Sequence, residues 1–107
     1  MTSGIDPRLL AVLLKICARL HQSDVNWAVT GSLSLALQGR PVEVHDIDVQ
    51  TDQAGAYEIE RRLAEFVTER VRFCGTEKVR SHFGRLTIHG IQVEIIGDIE
   101  TRAADEM

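Results

Sequence analysis

The sequence predicts an α/β (α+β) fold: a small mixed β-sheet of four to five strands, with two longer helices packed on one face and the active surface on the other. Three observations point there. Two stretches, one near the N-terminus and one after Thr51, carry apolar residues at helical spacing. Between them, Trp27 to Val49 reads as strand, Gly-Ser turn, short helix, loop and second strand. The last third holds two β-rich runs separated by His89-Gly90, the length of a tight hairpin turn.

The elements follow in order. Asp6-Pro7 starts a helix, with Asp as cap and Pro at the first helical position. The helix is expected to run to about Gln22, with Leu9, Val12, Leu13, Ile16, Cys17 and Leu20 on one apolar face. Ser23-Asp24 is a turn, and Val25 to Thr30 the first strand. Gly31 to Gln38 is a short helix closed by Gly39, and Arg40-Pro41 forces an extended loop. Val44 to Gln50 is a strand. Thr51 or Asp52 caps a second long helix, expected from about Gln53 to Glu69, whose face is Tyr57, Ile59 or Glu60, Leu63, Phe66 and Val67. Leu13 and Leu63 are expected in the core, one from each long helix. Val71 to Cys74 is a short strand closed by Gly75. His82 to Ile88 and Ile91 to Gly97 form the hairpin, pairing Ile88 with Ile91, Leu86 with Val93 and Arg85 with Glu94. Glu100 to Met107 reads as a polar, frayed tail.

The totals bound the reading. With 107 residues, the chain is expected to form one domain with a modest core. Its 44% hydrophobic and 26% charged residues are those of a globular protein, not a disordered one. No apolar run reaches membrane-spanning length, so no membrane partner is expected. No basic region precedes the Leu9–Leu14 run, which argues against a secretory signal. Cys17 and Cys74 show no metal-type spacing and read as reduced thiols of a cytoplasmic protein. The net charge of −4 argues against a general nucleic-acid binder. Arg70, Arg72, Lys78, Arg80 and Arg85 nevertheless cluster against a single Glu77. His21, His45, His82 and His89 lack zinc-ligand spacing. His45 and Trp27 read as structural.

Asp46 and Asp48 carry the chemistry. Residues two apart on a strand share a face, so the two carboxylates point one way while His45, Ile47 and Val49 point the other. Like charges side by side call for a cation between them, and hard divalent ions such as Mg²⁺ take oxygen ligands of this kind. Gly31 permits a tight turn and close approach by a ligand. Ser32 is a good capping residue, and a helix start with free N–H groups seats phosphate. Together these suggest a metal–nucleotide site.

Gly31-Ser32, then Asp46-Ile47-Asp48, then an acid on a later strand in Val93-Glu94-Ile95 resembles the nucleotidyltransferase superfamily of DNA polymerase β type. The likeness is to its small bacterial members: minimal nucleotidyltransferases, lincosamide nucleotidyltransferases and the nucleotidyltransferase-like toxins of abortive-infection systems. It runs from about Trp27 to Asp98. Three features depart from the pattern. Leu35 and Ala36 stand where minimal members often carry Arg, Glu94 stands where many relatives have Asp, and the usual C-terminal helical domain is not found within the 107 residues.

The resemblance implies transfer of a nucleoside monophosphate from a nucleoside triphosphate, ATP among them, to a hydroxyl or phosphate acceptor, with release of pyrophosphate. Asp46, Asp48 and Glu94 would be the catalytic and metal-binding residues, holding two Mg²⁺ ions, with Glu94 also orienting or deprotonating the acceptor. Gly31, Ser32 and Arg85 would bind the nucleotide, and Lys78 and Arg80 could reach its triphosphate. Beyond the nucleotide, the partners expected are an acceptor, small molecule or protein, and either a second copy or a helical partner protein. The rival from another class is a non-catalytic module of the same fold, an antitoxin or binding subunit. A third reading is a plain interaction domain whose acids are incidental.

Overall fold

The computed structural model describes residues 5–101. Helix α1 spans Pro7–Leu20, β1 Trp27–Thr30, α2 Gly31–Leu37, β2 Ile47–Thr51 and α3 Gln53–Arg62. A 3₁₀ turn, Ala64–Phe66, leads into β3 Val67–Gly75, β4 Val79–Ile88 and β5 Ile91–Thr101. The sheet has five strands in the order β1-β2-β5-β4-β3. It is mixed: β2 and β5 run parallel, and the other neighbours antiparallel.

Local chemistry explains the starts. Asp6 Oδ1 accepts from the Arg8 amide at 2.8 Å, and Pro7 needs no hydrogen bond at the first helical position. Asp52, not Thr51, caps α3, accepting from the Gly55 amide at 2.6 Å. The Thr51 hydroxyl instead donates to the Asn26 carbonyl at 2.6 Å. His89 (φ 52°) and Gly90 (φ 78°) both take positive φ, the backbone a primed two-residue turn requires. The β4–β5 register is the expected one, Ile88 with Ile91, Leu86 with Val93 and Arg85 with Glu94.

The core lies between one sheet face and helices α1 and α3. Val12 and Ile16 of α1, Ile59 of α3 and Leu63 just beyond it pack with Ile47, Val49, Leu86, Ile88, Val93 and Ile95 of the sheet. Ile59, not Glu60, takes the buried place on α3. Leu63 is fully buried as expected, whereas Leu13 is only half-buried at the margin. Cys17 is exposed, one position off the buried Leu9–Val12–Ile16–Leu20 stripe. Trp27 is half-buried against the core, but His45 is 82% exposed beside Glu43, not structural.

Several boundaries differ from expectation, among them the start of β1, at Trp27 and not Val25. Helix α1 stops at Leu20, and Gln22 turns at φ 62°. Strand β2 starts at Ile47, not Val44, because β1 ends at Thr30, opposite Asp48, and offers no partner further back. Helix α3 ends at Arg62, seven residues before Glu69, so Val67 begins a strand of nine residues. β-branched Val67, Thr68 and Val71 suit that strand better than a helix. Strands β4 and β5 extend beyond the expected hairpin, so Glu100 and Thr101 are paired, not frayed. The rest of the expected tail, 102–107, lies outside the described residues.

Candidate active site

Strand order brings the acids together. Asp48 on β2 is the register partner of Glu94 on β5. Side chains on parallel neighbours in register stand side by side on one face. Ile47 and Val49 are fully buried on the other face, so Asp48 and Glu94 stand on the face that α1 and α3 leave open. The row continues in both directions: Thr30 pairs with Asp48, Arg85 with Glu94, and Glu69 with Arg85. Five strands thus contribute Thr30, Asp48, Glu94, Arg85 and Glu69 in line.

The electrostatics of Asp48 are those of a crowded carboxylate. Its pKa is raised from 3.8, first by burial, then by the charges of Glu94 and Asp46, and by its contact with the Glu94 carboxylate. Asp46 sits in a bend before β2, not on the strand as expected, yet close enough for its charge to act on Asp48. Glu94 is partly relieved. Its Oε2 accepts from Gln92 Nε2 at 3.1 Å and lies 3.5 Å from Arg85 Nε. Among the described residues, no three His, Cys, Asp or Glu side chains converge as a preformed metal cage. The structure therefore brings Asp48 and Glu94 into contact, with Asp46 at their margin.

Gly31 and Ser32 reach this site by way of α2. Gly31, at φ 71°, packs its backbone directly against Asp48, and a Cβ there would overlap Asp48 Oδ2. The glycine therefore makes room for the carboxylate as well as for the turn. Thr30, with no side-chain capping bond, holds the cap position, and Ser32 lies inside the first turn instead of capping it. Arg85 stands in the acid row, held by Glu69 at 2.7 Å and over the Phe83 ring at 5.0 Å. Arg80 lies five residues further along β4, roughly 17 Å away, and Lys78 lies beyond it in the β3–β4 connection. Neither belongs to the acid row. Sequence reasoning missed two members of the row, Thr30 and Glu69. Thr30 could have been found, since it directly precedes the Gly-Ser turn. Glu69 could not, because the helical pattern had absorbed it.

No helix among the described residues is long and apolar enough to cross a membrane. Comparison with known proteins agrees with the geometry. Residues 12–107 match the aminoglycoside-2''-adenylyltransferase family. A 1.87 Å crystal structure from Thermotoga maritima, of a protein provisionally assigned as a nucleotidyltransferase, superposes with a TM-score of 0.92 at 63% identity. The alignment covers 96% of this chain and 64% of that one, so the chain spans under two-thirds of that relative's length. No curated protein matches. With its mixed sheet, its Gly-Ser turn against Asp48 and a second acid in register, the chain belongs to the aminoglycoside-2''-adenylyltransferase family of the nucleotidyltransferase superfamily.

Proposed function

We propose that the Asp48–Glu94 pair is the centre of a Mg²⁺-dependent nucleotidyltransferase that moves a nucleoside monophosphate from a nucleoside triphosphate to an acceptor hydroxyl or phosphate. The observation that carries this is the register: Asp48 and Glu94 share one row on the open face, with Gly31 backed onto Asp48. The family's name makes ATP the first donor to try and an aminoglycoside hydroxyl the first acceptor.

The donor set suits a hard divalent cation. It consists of carboxylate oxygens, and among the described residues no cationic side chain offsets Asp48 directly. Asp46, Asp48 and Glu94 are the residues that would hold Mg²⁺, which when bound stabilises charge on the phosphate oxygens. The chain's own groups do the rest. Glu94 orients the acceptor hydroxyl and accepts its proton as the oxygen attacks the α-phosphorus. The N–H groups at Gly31 and Ser32 face the phosphates beyond it. Arg85, on the other side of Glu94, supplies positive charge on the acceptor side, beside the α-phosphate oxygens as the bond to pyrophosphate breaks.

A second reading has its own observation. Arg85 already neutralises part of Glu94, and the three acids do not close into a preformed cage. That arrangement suits a non-catalytic module of the same fold, acting as an antitoxin or binding subunit.

Calorimetry with Mn²⁺ and a non-hydrolysable ATP analogue, beside a pyrophosphate-release assay with a panel of hydroxyl acceptors, separates the two. Catalysis requires metal-dependent nucleotide binding that Asp46→Asn with Asp48→Asn removes. It also requires turnover that Glu94→Gln removes while binding persists. Unchanged nucleotide affinity in the double variant defeats the metal site. Metal-dependent binding with no turnover on any acceptor leaves the binding module.

A further inference from the structure

The row of side chains on the open face contains one member with no role so far. Glu69 stands on the edge strand β3, three strands away from Asp48 and two from Glu94. Its carboxylate Oε1 accepts from Arg85 Nη1 at 2.7 Å. The same guanidinium reaches Glu94 only through Nε, at 3.5 Å, the outer limit of a hydrogen bond. Two carboxylates therefore compete for one arginine, and Glu69 holds it. Phe83, two residues before Arg85 on the same face, supports the guanidinium from another side, with its ring centroid 5.0 Å away.

The backbone supports the same interpretation. Strand β3 pairs with β4 irregularly at two places, between Val67 and Glu69 and between Glu69 and Arg72. Glu69 is the residue the two irregularities flank. An extra residue in one strand re-aims the neighbouring side chain, and such bulges gather next to functional sites. Here the result is an acid placed in register with Arg85. Arg72 Nη2, 3.6 Å from Glu69 Oε2, steadies the other oxygen.

Glu94 is left in a defined state. Both N–H donors that reach it from described residues end on Oε2, and its carboxylate also touches that of Asp48. Were Arg85 free of Glu69, Glu94 would be its nearest remaining acid, directly across the strand pair. Arginine prefers a two-point clamp on a carboxylate. Such a clamp would engage both oxygens of Glu94.

We propose that Glu69 is a positioning residue that acts through Arg85: it tethers the guanidinium so that Glu94 keeps an oxygen free for a divalent cation. This rests on the metal-binding reading above.

The test is a double-mutant cycle read by Mn²⁺ affinity of the full chain, by calorimetry or by electron paramagnetic resonance of free Mn²⁺. Glu69→Gln is expected to weaken Mn²⁺ binding about tenfold, in the range seen for side chains of one ion-pair network. Glu69→Asp keeps the charge but falls short of Arg85, and is expected to weaken binding as well. In an Arg85→Gln background, both changes are expected to lose their effect. Thermal melts of each variant keep binding loss separate from misfolding. Equal weakening by Glu69→Gln with and without Arg85 would show that Glu69 acts only through its charge, and that overturns the tether alone. So would a Glu69→Asp variant that binds like the wild type. A wild-type chain that takes no Mn²⁺ at all overturns the metal-binding reading and the tether with it.

Discussion

Replacing Gly31 with alanine asks how closely the turn and Asp48 are fitted. Two costs can be worked out separately. Gly31 has φ 71°, and a side chain in that left-handed region costs roughly 1–2 kcal/mol. The new methyl also overlaps Asp48 Oδ2, so the carboxylate must rotate away. Moving a side chain about 30° off its preferred rotamer costs about 0.5–1.5 kcal/mol. Together the substitution is expected to destabilise by about 2–3 kcal/mol. For a domain of this size each kcal/mol lowers Tm by about 4–8 °C. The second cost depends on Asp48 and the first does not. In an Asp48→Ala background the overlap is gone, and Gly31→Ala is expected to cost only about 1–2 kcal/mol. Urea melts of the four proteins measure the difference. The same loss in both backgrounds would refute the packing of the Gly31 backbone on Asp48, and with it the reason given for a glycine at that position.

Two further predictions follow from burial and charge. Leu63→Ala should cost about 2–5 kcal/mol because the side chain is fully enclosed, while Leu13→Ala should cost clearly less; denaturant melts that rank them the other way would place α1 wrongly. Asp48 has a folded pKa above its ordinary 3.8, so its contribution to stability is full below that value and is lost as pH rises through the folded pKa. In metal-free buffer, Asp48→Asn should therefore raise Tm at neutral pH, with the gain shrinking towards pH 4; a gain that is the same at both pH values would exclude ionisation as its cause.

Much of this site can be derived from residue pattern alone. The two-residue turn at His89-Gly90 fixes the β4–β5 register, and that register alone puts Arg85 beside Glu94. The alternation Asp48, Val49, Gln50 then fixes which face Asp48 takes. The expected placing of Glu94 on the strand beside that of Asp48 holds, but the parallel direction of that pairing could not be read, because it joins segments more than forty residues apart through no local signal. The α3 boundary failed for a specific reason. Phe66 and Val67 continue the helical spacing of Ile59 and Leu63, so periodicity carries the helix past its end at Arg62 to about Glu69. In the fold that spacing is used by a 3₁₀ turn instead, and Arg19 clamps it by donating to Glu65 at 3.0 and 2.6 Å. The irregular pairing of β3 then hides the two-residue alternation that would have revealed a strand. Glu69 was lost with it.

The sheet order has a consequence for how the chain comes together. β5 is central, with β2 on one side and β4 on the other. It is also the last of the five strands along the chain. During synthesis, β1 with β2 and β3 with β4 can each pair locally, as two separate antiparallel units. Until β5 emerges, β2 and β4 each present an unpaired inner edge to the surroundings. Only the final strand joins them, and the parallel half of that junction closes a long loop. The acid pair does not exist before this step, since Asp48 and Glu94 lie on the two strands joined last. The nascent chain is thus most prone to association just before β5 is made, and the site forms at the moment the two halves unite.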